Sequence, residues 1–80
     1  MLSKERIEAM RDVYIKQAAT HLAMKRWLRK NGFEDAAEAV DKQYEVHRRI
    51  AEIIANILDE ESEWPVFINI EEQAKHILWD

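Results

Sequence analysis

The feature that most constrains the fold is the near absence of residues that break a helix. The eighty residues include a single glycine, Gly32, and a single proline, Pro65. Because these are the strongest helix breakers, they divide the chain into two long segments and one short one. The 35% of charged residues is typical of long helices with a solvated face, and the absence of cysteine excludes disulfides and thiolate ligands. We expect one all-α domain over residues 1–80.

The first segment predicts a helix over about residues 3–30. Ser3 is a suitable N-cap, and Asn31-Gly32 is a common helix ending because glycine adopts the left-handed conformation without steric penalty. Apolar residues recur on one face at helical spacing and are expected to face the core. They are Ile7, Tyr14, Ala18, Leu22 and Leu28.

The second segment predicts a helix over about residues 34–60, with Glu34 and Asp35 at the positive end of its dipole. Its apolar stripe is longer and close to a heptad pattern. The stripe comprises Ala36, Ala37, Val40, Tyr44, His47, Ile50, Ala51, Ile54, Ile57 and Leu58. Because the connection between the two helices is short, they should be antiparallel neighbours.

The segment after Pro65 begins with the apolar run from Val66 to Ile68, which the sequence leaves open as extended or helical. Asn69 then has the character of an N-cap, with Glu72 as its capping-box partner. This pattern predicts a short helix over about residues 70–79, with four apolar side chains inward: Ile70, Ala74, Ile77 and Leu78. We expect it to pack where the second helix widens its apolar face around Ile50, Ile53 and Ile57.

Two histidines, His21 and His47, fall on the predicted inner stripes near Tyr14 and Tyr44. A histidine and a tyrosine could form a buried acid–base pair, or the two imidazoles could hold a metal ion. Interior hydrogen bonds that fix the helix register are the favoured interpretation, because buried polar groups usually need only a partner. The sequence has no HExxH motif, and no metal, cofactor or catalytic residue is predicted.

Two charged clusters suggest alternative functions. The acidic ridge, Glu34, Glu38, Asp41 and Glu45, has a spacing that helical metal-dependent hydrolases use to hold magnesium, but the first helix offers no matching motif. The basic cluster surrounds Trp27 and could follow a nucleic-acid backbone. It comprises Lys25, Arg26, Arg29 and Lys30. The net charge of −4 and the preference of cations for a helix C-terminus favour an ordinary helix end.

The first helix also carries a second apolar row, roughly opposite its core stripe, which we call the outer row. It comprises Met10, Val13, Thr20, Met24 and Trp27, with Ala9 and Ala23 nearby. A two-helix hairpin cannot cover both sides of one helix, so the tail, a second copy or a different protein must lie there. Self-association is the favoured hypothesis, which would complete a helical bundle as a homodimer.

Three aromatic residues near the tail, Trp64, Phe67 and Trp79, either close the core or form a secondary patch. The chain's short, acidic, cysteine-free and helical character is similar to that of small phage-encoded or mobile-element proteins that bind and inhibit a host factor. This resemblance implies a non-enzymatic regulator that acts through protein–protein contact. No apolar run is long enough to span a membrane and no secretory signal is evident, so we expect a cytoplasmic protein.

Overall fold

The computed structural model describes residues 3–58 and 66–77. Three helices account for almost all of them: α1 (Lys4–Lys30), α2 (Glu34–Ile57) and α3 (Val66–Lys75). The first two form the long antiparallel hairpin and the third is short, which confirms the predicted all-α architecture. No strand occurs in these two stretches.

The hairpin turn between α1 and α2 follows directly from the local sequence. Gly32 has a φ of +85°, in the left-handed region that other residues avoid. The Phe33 amide donates to the Leu28 carbonyl at 2.9 Å and the Gly32 amide donates to the Arg29 carbonyl at 3.3 Å. This pair of hydrogen bonds is a Schellman motif, which satisfies the last carbonyls of α1 and reverses the chain. At the other end of α1, the Ser3 hydroxyl accepts from the Arg6 amide at 3.2 Å, as predicted for the N-cap.

The core between the helices consists largely of small side chains. Alanines make up six of its eleven buried members: Ala18, Ala19, Ala23, Ala37, Ala51 and Ala74. The larger members are Ile15, Leu22, Tyr44, Ile54 and Ile70. Small residues let helix backbones approach closely, so this core is dense but narrow. The buried arc of α1 is wider than predicted and includes Ile15 and Ala19, because α1 packs against both other helices.

Two positions of the predicted α2 stripe are exposed, and four others are only half-buried. Ala36 is exposed, and Ile57 is 66% exposed. The buried arc is instead centred on Ala37, Tyr44 and Ala51, which share one side of the helix. The helix ends at Ile57, and the last two residues of the predicted range lie outside the described residues.

The predicted start of α3 was wrong. The helix begins at Val66, so the run to Ile68 is helical and Asn69 is an interior position rather than an N-cap. The Asn69 side chain instead accepts a hydrogen bond from the Gln73 side chain one turn later, at 3.0 Å. A proline just before Val66 is compatible with this start, since the first amides of a helix need no intrahelical partner.

The predicted docking position of the third helix was also wrong. We expected it to cover the isoleucines of α2, but α3 lies mainly against α1. Ile70 and Ala74 are buried in a cluster with Ile15 and Ala19 of α1, and Ile77 packs at its edge. As a result, Ile53 remains 51% exposed. Leu78, also predicted to point inward, lies outside the described residues.

Candidate interaction face

The basic cluster at the end of α1 is held mainly by carboxylates of the other helices. Lys25 contacts Asp41 at 2.9 Å, and Arg26 binds both carboxylate oxygens of Glu71, at 2.9 and 2.8 Å. Arg29 lies 3.6 Å from Glu34. Three of the four cations of the basic cluster therefore join α1 to α2 or α3. This pairing leaves less positive charge for a phosphate backbone, and no described geometry favours nucleic-acid binding over the helix-end interpretation.

The acidic ridge of α2 is similarly engaged. Glu34 and Asp41 face the basic cluster across the hairpin, and Glu45 forms an ion pair with Arg48 at 2.7 Å. Glu38 is exposed. Within residues 3–58 and 66–77, no three His, Cys, Asp or Glu side chains are grouped closely enough to hold a metal ion.

His47 lies near Tyr14 as predicted, but His21 stacks on His47 instead of lying beside Tyr44, and the layer is at the surface of the hairpin rather than inside it. The rings of His21 and His47 stack with centroids 4.8 Å apart, and Tyr14 lies 5.9 Å from His47. Both imidazoles are only half-buried. Each Nδ1 donates to a carbonyl of its own helix at 2.8 Å, so the expected interior hydrogen bonds between helices are absent from this layer. The stack is one of the contacts that join α1 to α2.

Tyr44 is the aromatic residue that lies in the core. It is 5% exposed, and the Lys25 ammonium sits 5.1 Å from its ring centroid. Burial raises the pKa of the Tyr44 phenol above its ordinary value of 10.0, while the nearby Arg48 opposes this shift. Tyr44 therefore acts as a structural residue at the junction of the three helices.

The outer row of α1 is not covered by α3. Met10 is 44% exposed and Val13 is 51% exposed, while Thr20, Met24 and Trp27 are half-buried. Trp27 stacks on Phe33 of the turn, with ring centroids 6.2 Å apart. Ala23, which we placed near this row, is instead buried in the core. The described part of the tail therefore leaves this row accessible to a partner.

A second exposed apolar row, on α2, was missed by the sequence analysis. Val46, Ile53 and Ile57 are 53%, 51% and 66% exposed, and Ile50 between them is half-buried. Their alternating spacing of four and three residues is the heptad spacing of helices that pack side by side. Continued towards the turn, it defines the α2 heptad row: Ala36, Ala39, Gln43, Val46, Ile50, Ile53 and Ile57. The spacing was visible in the sequence, but we had assigned its isoleucines to the tail.

The same spacing on α1 defines a matching α1 heptad row. It consists of Ile7, Met10, Tyr14, Gln17, His21, Met24 and Leu28. Met10 and Met24 belong to the predicted outer row as well. Val13, Thr20 and Trp27 lie further round the helix, away from α2.

Both heptad rows lie on the side of the hairpin opposite α3. Arg26 points towards α3, where it binds Glu71, and Met24 and Leu28 are each two residues away, about 200° around the helix. On α2, Tyr44 shares the core cluster with Ile70 of α3. Val46 is two residues from Tyr44 and therefore lies about 200° around the helix, away from α3. His21 belongs to the α1 heptad row and stacks on His47 of α2 where the two helices meet. We call the surface that they form the open face.

The open face contains no charged residue at any of its fourteen heptad positions. Since 35% of the chain is charged, fourteen average positions would carry about five charges. Ion pairs instead lie on other sides of the helices, for example between Arg48 and Glu52 at 2.6 Å. An uncharged, largely apolar surface is typical of the centre of a protein interface.

The predicted aromatic patch is described only in part. Phe67 lies on α3 and is 50% exposed. Trp64 and Trp79 lie outside the described residues. Phe67 is therefore an exposed apolar side chain that belongs to a helix on the other side of the hairpin from the open face.

Known proteins add no further constraint on the site. No protein-family model, curated protein or solved structure matches the chain. None of the helices in the described ranges is both long enough and apolar enough to cross a membrane. Any function must therefore be argued from the geometry of this chain.

Proposed function

We propose that this chain is a small, non-enzymatic protein–protein interaction module that binds a helical surface through its open face. The observation that carries the proposal is the pair of uncharged heptad rows, side by side, on the face of the hairpin that α3 leaves bare. Apolar side chains left in water forgo about 25 cal/mol for each Å² that a partner would bury. Binding would recover that free energy.

The spacing of the rows favours a partner that is itself helical. Two parallel ridges with residues alternating by three and four form a groove that accepts the apolar stripe of another helix. The half-buried His21 and His47 rings form the floor of this groove, and Met10 and Met24 line one wall. Methionine suits such a wall because its flexible side chain adapts to different partners. A regulator or inhibitor works by occupying a partner's surface in this way.

Site-specific photo-crosslinking in the native cells tests this proposal. A photoreactive amino acid is introduced at Ile53 on the open face and, as the matched control, at Phe67 on α3, whose exposure is nearly the same: 51% and 50%. We expect a covalent adduct with a polypeptide from position 53 only, and its loss when Val46→Glu is added. Adducts of equal yield from both positions, or none from position 53, would contradict the proposal.

A further inference from the structure

We infer that the occupant of the open face is a second copy of this chain, packed antiparallel so that two hairpins form a four-helix bundle. This inference rests on the proposed function, because it names the partner of the same face. In a two-fold dimer, the surface must be complementary to itself. The open face meets that condition in its area, its charge and the order of its side chains.

The area of the open face is sufficient for a dimer. The twenty-four residues of α2 span about 36 Å, and two adjacent helices are about 20 Å wide, which gives a contact face of roughly 700 Å² on each copy. Stable interfaces of standard size bury about 800 Å² on each partner. Charge does not oppose the pairing, since the fourteen central positions carry none. A chain of eighty residues with an alanine-rich core also gains much from a second layer of helices.

The register of the hairpin fixes which side chains share a level. Lys25 pairs with Asp41 near the turn, and His47 lies within ring contact of both Tyr14 and His21 further along. These contacts place Leu28 and Ala36 at the turn end of the open face, and Ile7 and Ile57 at the other end. The middle level then contains Gln17 of α1 and Val46 of α2.

Side-chain size along the α2 heptad row selects the antiparallel arrangement. The row begins at the turn with Ala36 and Ala39 and ends with Ile53 and Ile57. If the two turns met, the bundle would be narrow at the alanines and wide at the isoleucines. With the turns at opposite ends, each alanine lies level with an isoleucine of the other copy, so the layers have similar volumes and the helices stay evenly spaced.

Polar residues then gather at the middle of the bundle. Gln17 lies on the two-fold axis and meets its own equivalent, while His21 is level with Tyr14 of the other copy. Because Nδ1 of His21 already donates to the Gln17 carbonyl, its Nε2 is the acceptor that the tyrosine hydroxyl can reach. A polar layer of this kind penalises other registers, since a shift would leave these groups buried without partners.

Sedimentation equilibrium of the full chain tests whether the second copy binds. We expect a dimer, and we expect Val46→Glu to raise its dissociation constant by at least about 100-fold, because each dimer would bury two carboxylates near the axis. Val46 is 53% exposed, so the variant should keep its helical circular dichroism. Ile53→Lys serves as a second disruptive variant, and Phe67→Glu as the control that remains dimeric.

Disulfide trapping tests the orientation, and the absence of native cysteine makes it clean. In the antiparallel bundle Val46→Cys meets its own equivalent and forms a covalent dimer on mild oxidation. Ala39→Cys forms a covalent dimer only together with Ile53→Cys, which lies opposite it in the other copy. The two positions are about 21 Å apart within one helix, so no disulfide can join them inside one copy. Phe67→Cys is the control for random collision and should form none.

Several results would overturn the inference. A monomer at every concentration, or a dimer that Val46→Glu leaves intact, excludes the second copy from the open face. A disulfide between a copy that carries Ala39→Cys and a copy that carries Met24→Cys, rather than Ile53→Cys, would show that the turns meet. If the second copy is excluded in this way, an open-face adduct with a different protein in the photo-crosslinking experiment would still support the proposed function. Failure of the dimer inference is therefore distinguishable from failure of the proposed function.

Discussion

Ile70 anchors α3 to the hairpin, and shortening it is the most direct test of the three-helix core. It is fully buried and belongs to the cluster formed with Ile15, Ala19 and Tyr44. Ile70→Ala removes three buried carbons, each worth about 0.8 kcal/mol, and leaves a cavity that adds to the loss. We expect a destabilisation of about 3 kcal/mol, within the range measured for isoleucine-to-alanine changes in protein cores.

The assay is urea unfolding followed by circular dichroism, at one fixed protein concentration. For a domain of this length, total stability is about 4–12 kcal/mol, so the loss is easily measured. The control is Ile68→Ala, two residues away on α3 but 37% exposed, for which we expect a loss of about 1 kcal/mol. In the Ile70→Ala variant, hydrogen exchange should show the α3 amides exchanging faster than those of α1. If Ile70→Ala costs no more than the control, α3 is not anchored as described.

Three other predictions follow from local geometry. Gly32→Ala should cost about 1–2 kcal/mol in thermal unfolding, because an added Cβ meets no atom within 4 Å and only the left-handed backbone is penalised; a much larger loss would indicate a hidden clash. Burial raises the pKa of Tyr44, so its contribution to stability is present below pH 10.0 and is lost as the pH rises through the folded-state value. Raising the pH above 10.0 should therefore lower the free energy of unfolding, measured with urea, more for the native chain than for Tyr44→Phe. Parallel plots of unfolding free energy against pH for the two proteins would contradict this. In a double-mutant cycle, Lys25→Met and Asp41→Asn should show a coupling of about 0.5–1 kcal/mol that weakens with salt, and additive losses would mean that the pair contributes nothing.

The fold was largely predictable because its determinants are local. The N-cap at Ser3, the reversal at Gly32 and the long apolar stripes depend on residues close together in sequence. The first two were identified correctly and the stripes in part. The start of α3 was not, because Asn69 and Glu72 form a plausible capping box and only the packing of Ile70 against α1 and α2 reveals the longer helix. Local signals of comparable strength compete, and tertiary contacts decide between them.

The open face was harder to predict than the fold for the same reason. Heptad spacing shows that Val46, Ile50 and Ile53 share one side of α2, but it cannot show whether α3 lies on that side. The sequence predicts that the tail covers these isoleucines, and it indicates only the α1 part of the exposed surface, through Met10 and Met24. The proximity of His47 to Tyr14 was predicted from the register, but the stacking of His21 on His47 was not. The half-exposed position of both histidines depends on where α3 docks.

The tight turn at Asn31-Gly32 also has a consequence for how quickly the chain folds. Because the Schellman motif joins α1 and α2 with almost no intervening chain, the contacts nearest the turn close loops of only a few residues. Helical proteins dominated by such contacts fold in microseconds to milliseconds. Phi-value analysis of folding rates measured by temperature jump should therefore show the hairpin forming from its turn outwards, with the contact between Arg26 and Glu71, forty-five residues apart, among the last to form. The turn thus determines the order of folding as well as the path of the chain.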